Sequence, residues 1–338
     1  MALIETDGLT KDYGRGRGVF GVSFAVAAGQ TLGFLGPNGA GKTTTLRQLM
    51  GFVRPDAGTA RIGGHDCFAE AAAVHRQVGY LPGELACPDD MTGKTYLQFC
   101  AGMYGAKDRK RIDGLVERFE LGGALDGRIR KMSKGTKQKL GIVCAFFTDA
   151  PVLLLDEPTS GLDPLMQNRF VQLILEEKAR GKTILLSSHM FEEVERTCDA
   201  AAILRAGRLA AVEQMDALRR DRRRVFEVQF DTPAAAQHFA AAHRGLRAEG
   251  SSVRVAVAGR VDGLVKALAA YPVADLSLHE QGLEELFLQY YRTDAPHAPA
   301  RRTEPGTPEH TAQSTPAAPG APAPNAAQSA PQQKEAQA

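Results

Sequence analysis

The stretch Gly36-Pro37-Asn38-Gly39-Ala40-Gly41-Lys42-Thr43 constrains this chain more than any other. It fits G-x-x-x-x-G-K-[ST], follows the apolar run Thr31–Leu35, and precedes a helical pattern from Thr44 to Met50. A strand, a glycine-rich turn and a helix in that order make a loop whose backbone N–H groups curl round a polyphosphate. The N-terminus of the following helix adds a partial positive charge. Lys42 then reaches the β- and γ-phosphates, and the Thr43 hydroxyl ligates Mg²⁺.

Composition sets the outer limits. The chain has 338 residues, 43% hydrophobic and 24% charged, enough for one large globular core and a smaller unit. A net charge of +2 argues against a dominant nucleic-acid surface, so no nucleic-acid partner is expected. Cys67, Cys87, Cys100, Cys144 and Cys198 form no C-x-x-C pair. They read as small core hydrophobes in a reducing cytosol rather than as a metal or disulfide set. The opening Met-Ala-Leu-Ile-Glu-Thr-Asp lacks the basic and apolar regions of a signal peptide. No apolar run approaches about 18 residues, so any membrane role is expected to act through a partner.

Residues 1–215 alternate short β-branched or apolar runs with helical patterns, which predicts a mixed α/β unit. Strands are expected at Leu3–Gly8, Val19–Val26, Thr31–Leu35, Thr59–Ile62, Val78–Leu81, Val152–Leu155, Thr183–Ser187 and Ala200–Leu204. Between Leu81 and Val152 the pattern is mainly helical, over Lys94–Met103, Asp108–Phe119 and Ser133–Phe147. That block looks like an insertion into the α/β core. The basic run Arg219–Arg224 follows, either a solvated link or a face for acidic lipid headgroups. The periodicity then restarts with strands at Val225–Phe230, Leu246–Ala248, Val253–Val257 and Val273–Leu278, and helices at Pro233–Ala242 and Val261–Ala270. The order is βαββαβ, compatible with a small ferredoxin-like α+β unit that the amphipathic stretch Leu283–Tyr291 closes. From Asp294 the chain is Pro, Ala, Gln, Ser and Thr with almost no apolar period, which predicts a disordered tail over 294–338.

A phosphate loop needs a second, carboxylate-bearing element before it can direct water at a phosphate. Pro151-Val-Leu-Leu-Leu-Asp156-Glu157 supplies one: an apolar run typical of a buried parallel strand, ending in two acids. Asp156 is expected to hold Mg²⁺ through water, and Glu157 to polarise the attacking water. Ser133 is a natural N-cap for the helix that follows, and Gly135 allows close backbone approach. Ser160-Gly-Leu-Asp163 forms a turn before a helix from Leu165. His189 ends the apolar run from Leu185, where an imidazole would meet a γ-phosphate; taken alone, a structural histidine is the competing reading.

In this order, the residues resemble the nucleotide-binding subunit of an ATP-binding cassette (ABC) transporter over residues 2–215. The C-terminal unit and the ending Leu283–Leu288 are similar to those of ABC-2 type bacterial drug and antibiotic exporter ATPases. The resemblance implies a P-loop NTPase (ABC ATPase) core over 1–218, with an antiparallel β subdomain and a helical subdomain at about 84–147, and an accessory α+β domain over 225–292. It implies that Gly36, Pro37, Asn38, Gly39, Ala40, Gly41, Lys42, Thr43 and Thr44 hold ATP, with Tyr13 stacked on the adenine. For Tyr13, a loop aromatic packed on the core is the competing reading. Glu157 and His189 are then the catalytic residues, and Thr43 and Asp156 the Mg²⁺ ligands. Ser133, Gly135 and Asp163 bind nucleotide from the signature and the D-loop, in a site completed by a second ABC ATPase subunit, identical or different. The other partner implied is a separate transmembrane permease, which places the chain in the cytoplasm on the inner face of the cell membrane.

The chain departs from the family pattern at two places. Lys134 and Thr136 replace a glycine and the glutamine of the signature L-S-G-G-Q, adding a positive charge near the γ-phosphate. Gly83 stands where the family carries a glutamine that touches Mg²⁺ and couples to the permease; Glu84 or a water would have to fill that role. Two alternatives to a transport ATPase stay open here: a soluble non-transport cassette, and a hydrolysis-poor regulatory ATP switch.

Overall fold

The computed structural model describes residues 2–105, 108–220, 224–243, 245–257 and 260–280, all within the unit Met1–His297. The stretch Leu283–Tyr291, the tail from 294 and the middle of the arginine link lie outside the described residues.

A long antiparallel pair, β1 (Ala2–Asp12) and β2 (Gly18–Ala27), leads into β3 (Thr31–Leu35) and helix α1 (Lys42–Leu49). β4 (Ala57–Ile62) returns to β1 and β5 (His65–Asp66) to β4, completing an antiparallel sheet ordered β2-β1-β4-β5. After α2 (Ala71–His75) and β6 (Val78–Leu81) come α3 (Gly93–Tyr104), α4 (Arg109–Arg118) and α5 (Lys134–Phe146). The chain then alternates β7 (Val152–Asp156), α6 (Pro164–Ala179), β8 (Thr183–Ser188), α7 (Phe191–Thr197) and β9 (Ala200–Arg205), before β10 (Arg208–Gln214) and α8 (Met215–Arg220). A six-stranded sheet, ordered β10-β9-β3-β8-β7-β6, is parallel except for β10.

The apolar runs explain why this sheet is central. Every residue of β3, β7 and β8 is buried, as expected when both faces of a parallel sheet are covered. Successive side chains point to opposite faces, so one strand feeds two cores. Leu153 and Leu155 pack with Leu140, Phe146 and Phe170 from α5 and α6. Val152 and Leu154 share the other core with Leu46 and Leu49 of α1 and with Ile4 and Val22 of the antiparallel sheet. The cysteines take part in packing: Cys67 and Cys198 are buried, and burial pushes both thiols up to about 12.

Further on, β11 (Arg224–Phe230), α9 (Pro233–Ala242), β12 (Ala248–Glu249), β13 (Ser252–Val257), α10 (Asp262–Leu268) and β14 (Val273–Glu280) follow in the order βαββαβ. Their sheet is ordered β12-β13-β11-β14 and wholly antiparallel, over a core of Val228, Phe230, Phe239, Val253 and Leu264. No helix among the described residues is long and apolar enough to cross a membrane.

Most expected elements form, with two instructive differences. β1 runs to Asp12 rather than stopping at Gly8, because β4 and β2 pair with it on both sides past the glycine. β10 was absent from the sequence expectation, since Arg-Leu-Ala-Ala-Val-Glu-Gln has little β-branched character. It forms because Ala206 and Gly207 both take positive φ, 47° and 75°, in a two-residue hairpin that pairs Arg205 with Arg208.

The helical block is tied to the core by ions. Arg111 of α4 donates to Glu177 Oε1 at 2.8 Å and to the Phe146 carbonyl at 2.9 Å; Lys182 reaches Glu177 Oε2 at 3.0 Å. Burial works to raise the Glu177 carboxyl, but Arg111 and Lys182 outweigh it and hold the group below the usual carboxylate range. That contribution to stability is present above the unfolded pKa and is lost as pH falls through the folded one. Arg111→Ala is expected to cost about 1.5–3 kcal/mol at neutral pH, read as a lower urea midpoint. The deficit should narrow as Glu177 is protonated in acid. A midpoint within error of wild type would show that Lys182 and Arg180, each 3.0 Å from the Glu177 carboxylate, suffice.

Candidate nucleotide-binding site

The loop between β3 and α1 is shaped by its glycines. Gly41 has φ 106°, and a Cβ there would stand 2.6 Å from Val19 Cγ1; at Gly36 it would stand 2.5 Å from the Leu204 carbonyl oxygen. Neither position admits another residue. No side chain caps α1, so its first N–H groups remain available to a ligand. Lys42, only 5% exposed, donates to the Gly36 carbonyl at 2.6 Å and the Pro37 carbonyl at 3.3 Å. Its ammonium also pairs with Glu157 Oε1 at 3.0 Å.

Glu157 follows β7 with φ 49°, a left-handed conformation that costs a non-glycine residue on the order of 1 kcal/mol. Its N–H donates to the carbonyl and the hydroxyl oxygen of Ser187, and its carbonyl accepts from the Gln138 amide at 3.2 Å. The carboxylate then meets Lys42 through one oxygen and His189 Nδ1, at 2.5 Å, through the other. Asp156 is fully buried at the strand end, with Oδ1 accepting from Ser187 Oγ at 2.6 Å. Its Oδ2 is buried without a hydrogen-bond partner among the described residues. An orphaned carboxylate oxygen of this kind fits a divalent cation as its missing partner. Gly83 lies against that same atom: a Cβ added there would stand 3.0 Å from Asp156 Oδ2.

These groups line one cleft of about 560 Å³. Tyr13, Pro37 to Thr44, Asp156, Glu157 and His189 all border it, so most of the expected site residues come together. Tyr13 is half exposed at the turn between β1 and β2, which argues against packing on the core. Gly36 contributes through its carbonyl, as the acceptor of the Lys42 bond. Ser133, Gly135 and Asp163 are not among the lining residues. Ser133 caps α5 by accepting from Thr136 N–H, and Asp163 caps α6 by accepting from Met166 N–H, which holds its carboxyl below the usual range.

Sequence reasoning missed several walls of the cleft. Arg17, Gly18 and Arg47 border it, and only their proximity to the loop in sequence hinted at this. Lys134 and Ser160 also reach the rim, joined by a hydrogen bond of 3.0 Å from Nζ to Oγ. The signature and D-loop are packed closely behind that bond: a Cβ on Gly135 would stand 2.6 Å from the Gly161 carbonyl oxygen. Lys134 therefore lines its own chain's cleft as well as marking the signature. Gln138, whose amide holds the Glu157 and Pro158 carbonyls, carried no signal beyond its place on an apolar-faced helix.

Residues 19–160 match the profile of the family described as ABC transporter. The chain is 41% identical over 213 residues to the Nod factor export ATP-binding protein I of Paraburkholderia xenovorans, covering 62% of this chain and 70% of that one. It belongs to the ABC transporter family. A second relative aligns across more of the length of this ABC protein: the daunorubicin/doxorubicin resistance ATP-binding protein DrrA of Streptomyces peucetius, 34% identical over 303 residues, with 84% of this chain and 91% of that one covered. Among solved structures, an ATP-binding subunit of an ABC transporter matches with a TM-score of 0.60 and 34% identity, over 64% of this chain and 92% of that one. A dimeric cassette bound to ADP and Pi matches in fold, with a TM-score of 0.57 and 20% identity over 63% and 98% of the two chains. The chain is the ATP-binding, ATP-hydrolysing subunit of such a transporter.

The position of Gly83 gives a direct test of the wall beside Asp156 Oδ2. Gly83→Ala places a methyl group against Asp156 Oδ2, while Ser187 holds the other oxygen in place. Turnover is expected to fall about tenfold, with ATP affinity measured without Mg²⁺ within about twofold of wild type. Unchanged turnover would show that crowding Asp156 Oδ2 from Gly83 does not reach the reacting groups.

Proposed function

We propose that this chain powers the export of a small molecule through a separate transmembrane permease, working as one half of an ATPase dimer on the cytoplasmic face of the membrane. The observation that carries the reading is the meeting of Lys42, Glu157 and His189 beside the orphaned oxygen of Asp156. Relatives named for Nod factor export and for daunorubicin, doxorubicin and linearmycin resistance support the exporter assignment. The dimeric cassette among the structural matches supports pairing of two ATPase subunits. Ser133 and Gly135 stand off the chain's own cleft, which is what a site completed by a second subunit requires.

Lys42 is held in the cleft by two carbonyls and Glu157, ready to transfer its charge to the β- and γ-phosphates. An arriving triphosphate competes with Glu157 for the ammonium, and so frees the carboxylate to orient and polarise water. His189, bonded to the other carboxylate oxygen, keeps Glu157 from swinging away. Tyr13 offers a half-exposed ring for adenine. Thr43 and, through water, Asp156 would hold Mg²⁺, which would neutralise charge on the phosphate oxygens.

Glu157→Gln preserves shape and hydrogen bonding but removes the base. In membranes that also carry the permease, ATPase activity is expected to fall by about a hundredfold or more while ATP is still bound. The permease should co-purify with the ATP-loaded variant. Wild-type turnover in this variant would remove Glu157 from the reaction, and an ATPase that never co-purifies with a polytopic membrane protein would sink the transport assignment.

A further inference from the structure

Gln138 lies one turn into α5 and is only 4% exposed. Its amide nitrogen donates to the Pro158 carbonyl at 2.9 Å and to the Glu157 carbonyl at 3.2 Å. From another side Ser187 of β8 takes the Glu157 N–H, through its carbonyl at 3.2 Å and its hydroxyl oxygen at 3.0 Å. Both polar ends of one residue's backbone are therefore fastened to elements outside its own turn. Ser160 N–H also donates to the Glu157 carbonyl, at 3.1 Å, but that bond closes the turn internally and would move with it. Gln138 anchors the carbonyl side of the turn to a separate helix.

The backbone shape held in this way aims the Glu157 side chain. Glu157 has φ 49°, and a non-glycine residue keeps that conformation only where its surroundings over-determine it. Pro158 disfavours right-handed helical geometry for the residue before it, so a released Glu157 would relax towards extended backbone. That change turns its Cβ, and with it the carboxylate that meets Lys42 at 3.0 Å and His189 Nδ1 at 2.5 Å. Gln138 itself is not among the residues that line the cleft, so any effect on the reaction passes through Glu157.

We propose that Gln138 is a positioning residue for ATP hydrolysis: its buried amide holds the Glu157–Pro158 carbonyls so that the Glu157 carboxylate stays aimed between Lys42 and His189. The proposal rests on the hydrolytic reading of Glu157. It makes α5, whose capping residue Ser133 stands off this cleft, part of the hydrolytic machinery of its own chain.

The test is a double-mutant cycle on ATPase activity of the full chain, in membranes that also carry the permease, with Gln138→Met, Glu157→Gln and the two combined. Methionine keeps the length of the side chain and removes the donor. Gln138→Met is expected to lower kcat about tenfold, with KM for ATP within about twofold, because the phosphate loop is untouched. On the Glu157→Gln background the same change should cost less than about twofold, since no base remains to be aimed. A Gln138→Met kcat close to wild type, or a loss that recurs in full on Glu157→Gln, overturns the proposal. Should Gln138→Met fail to bind a fluorescent ATP analogue, Gln138→Glu decides. Its carboxyl donates to a carbonyl only when protonated, so its kcat relative to wild type should rise about threefold or more from about pH 8 to about pH 6. A ratio that stays flat overturns the proposal. Wild-type turnover in Glu157→Gln would instead overturn the hydrolytic reading itself, independently of Gln138.

Discussion

The ammonium of Lys42 is the point on which the rest of this structure converges. It is buried, and among the described residues its partners are two loop carbonyls and one oxygen of Glu157. A buried cation is stable only where compensating oxygens surround it. The phosphate loop and the acidic strand end supply those oxygens from opposite sides, and a polyphosphate can replace them with stronger ones. On the proposed reading, the same contact that stabilises the cleft is therefore the one that a nucleotide would exchange.

The fold makes this meeting unavoidable. β3, β8 and β7 are neighbours, so their C-terminal ends emerge side by side. In register, Phe34 and Asp156 both face Ser187 across the ladders. The phosphate loop, the two acids and His189 follow directly from those three strand ends, the place where open α/β sheets bind ligands. Ser187 is the pivot: its hydroxyl donates to Asp156 and accepts from Glu157 N–H. One acid is thereby pinned with an oxygen to spare, and the other is turned towards Lys42.

Much of this was legible in the sequence because it is local. A G-x-x-x-x-G-K-[ST] turn after Thr31–Leu35 needs no distant information, and neither does the apolar run Val152–Leu155 that leads into Asp156 and Glu157. What was hidden depends on contacts between distant parts of the chain. β10 exists because a two-residue hairpin folds it onto β9, although its own residues favour no strand. The place of Lys134 on its own cleft rim depends on how α5 docks against the Ser160 turn. Glu193 reads as one acid among several in Phe191–Thr197, and only the folded structure puts its carboxyl against Ser188. Gly83 was visible as a departure from the family pattern. Its meaning, a backbone pressed close to Asp156, was not.

The most direct test of the central claim is calorimetric titration of ATP into the wild-type chain and into Lys42→Ala, in the same buffer. With the ammonium removed, the account predicts that ATP affinity falls by about a hundredfold or more, with the folded state retained by circular dichroism. A folded Lys42→Ala protein that binds ATP as tightly as wild type would contradict it.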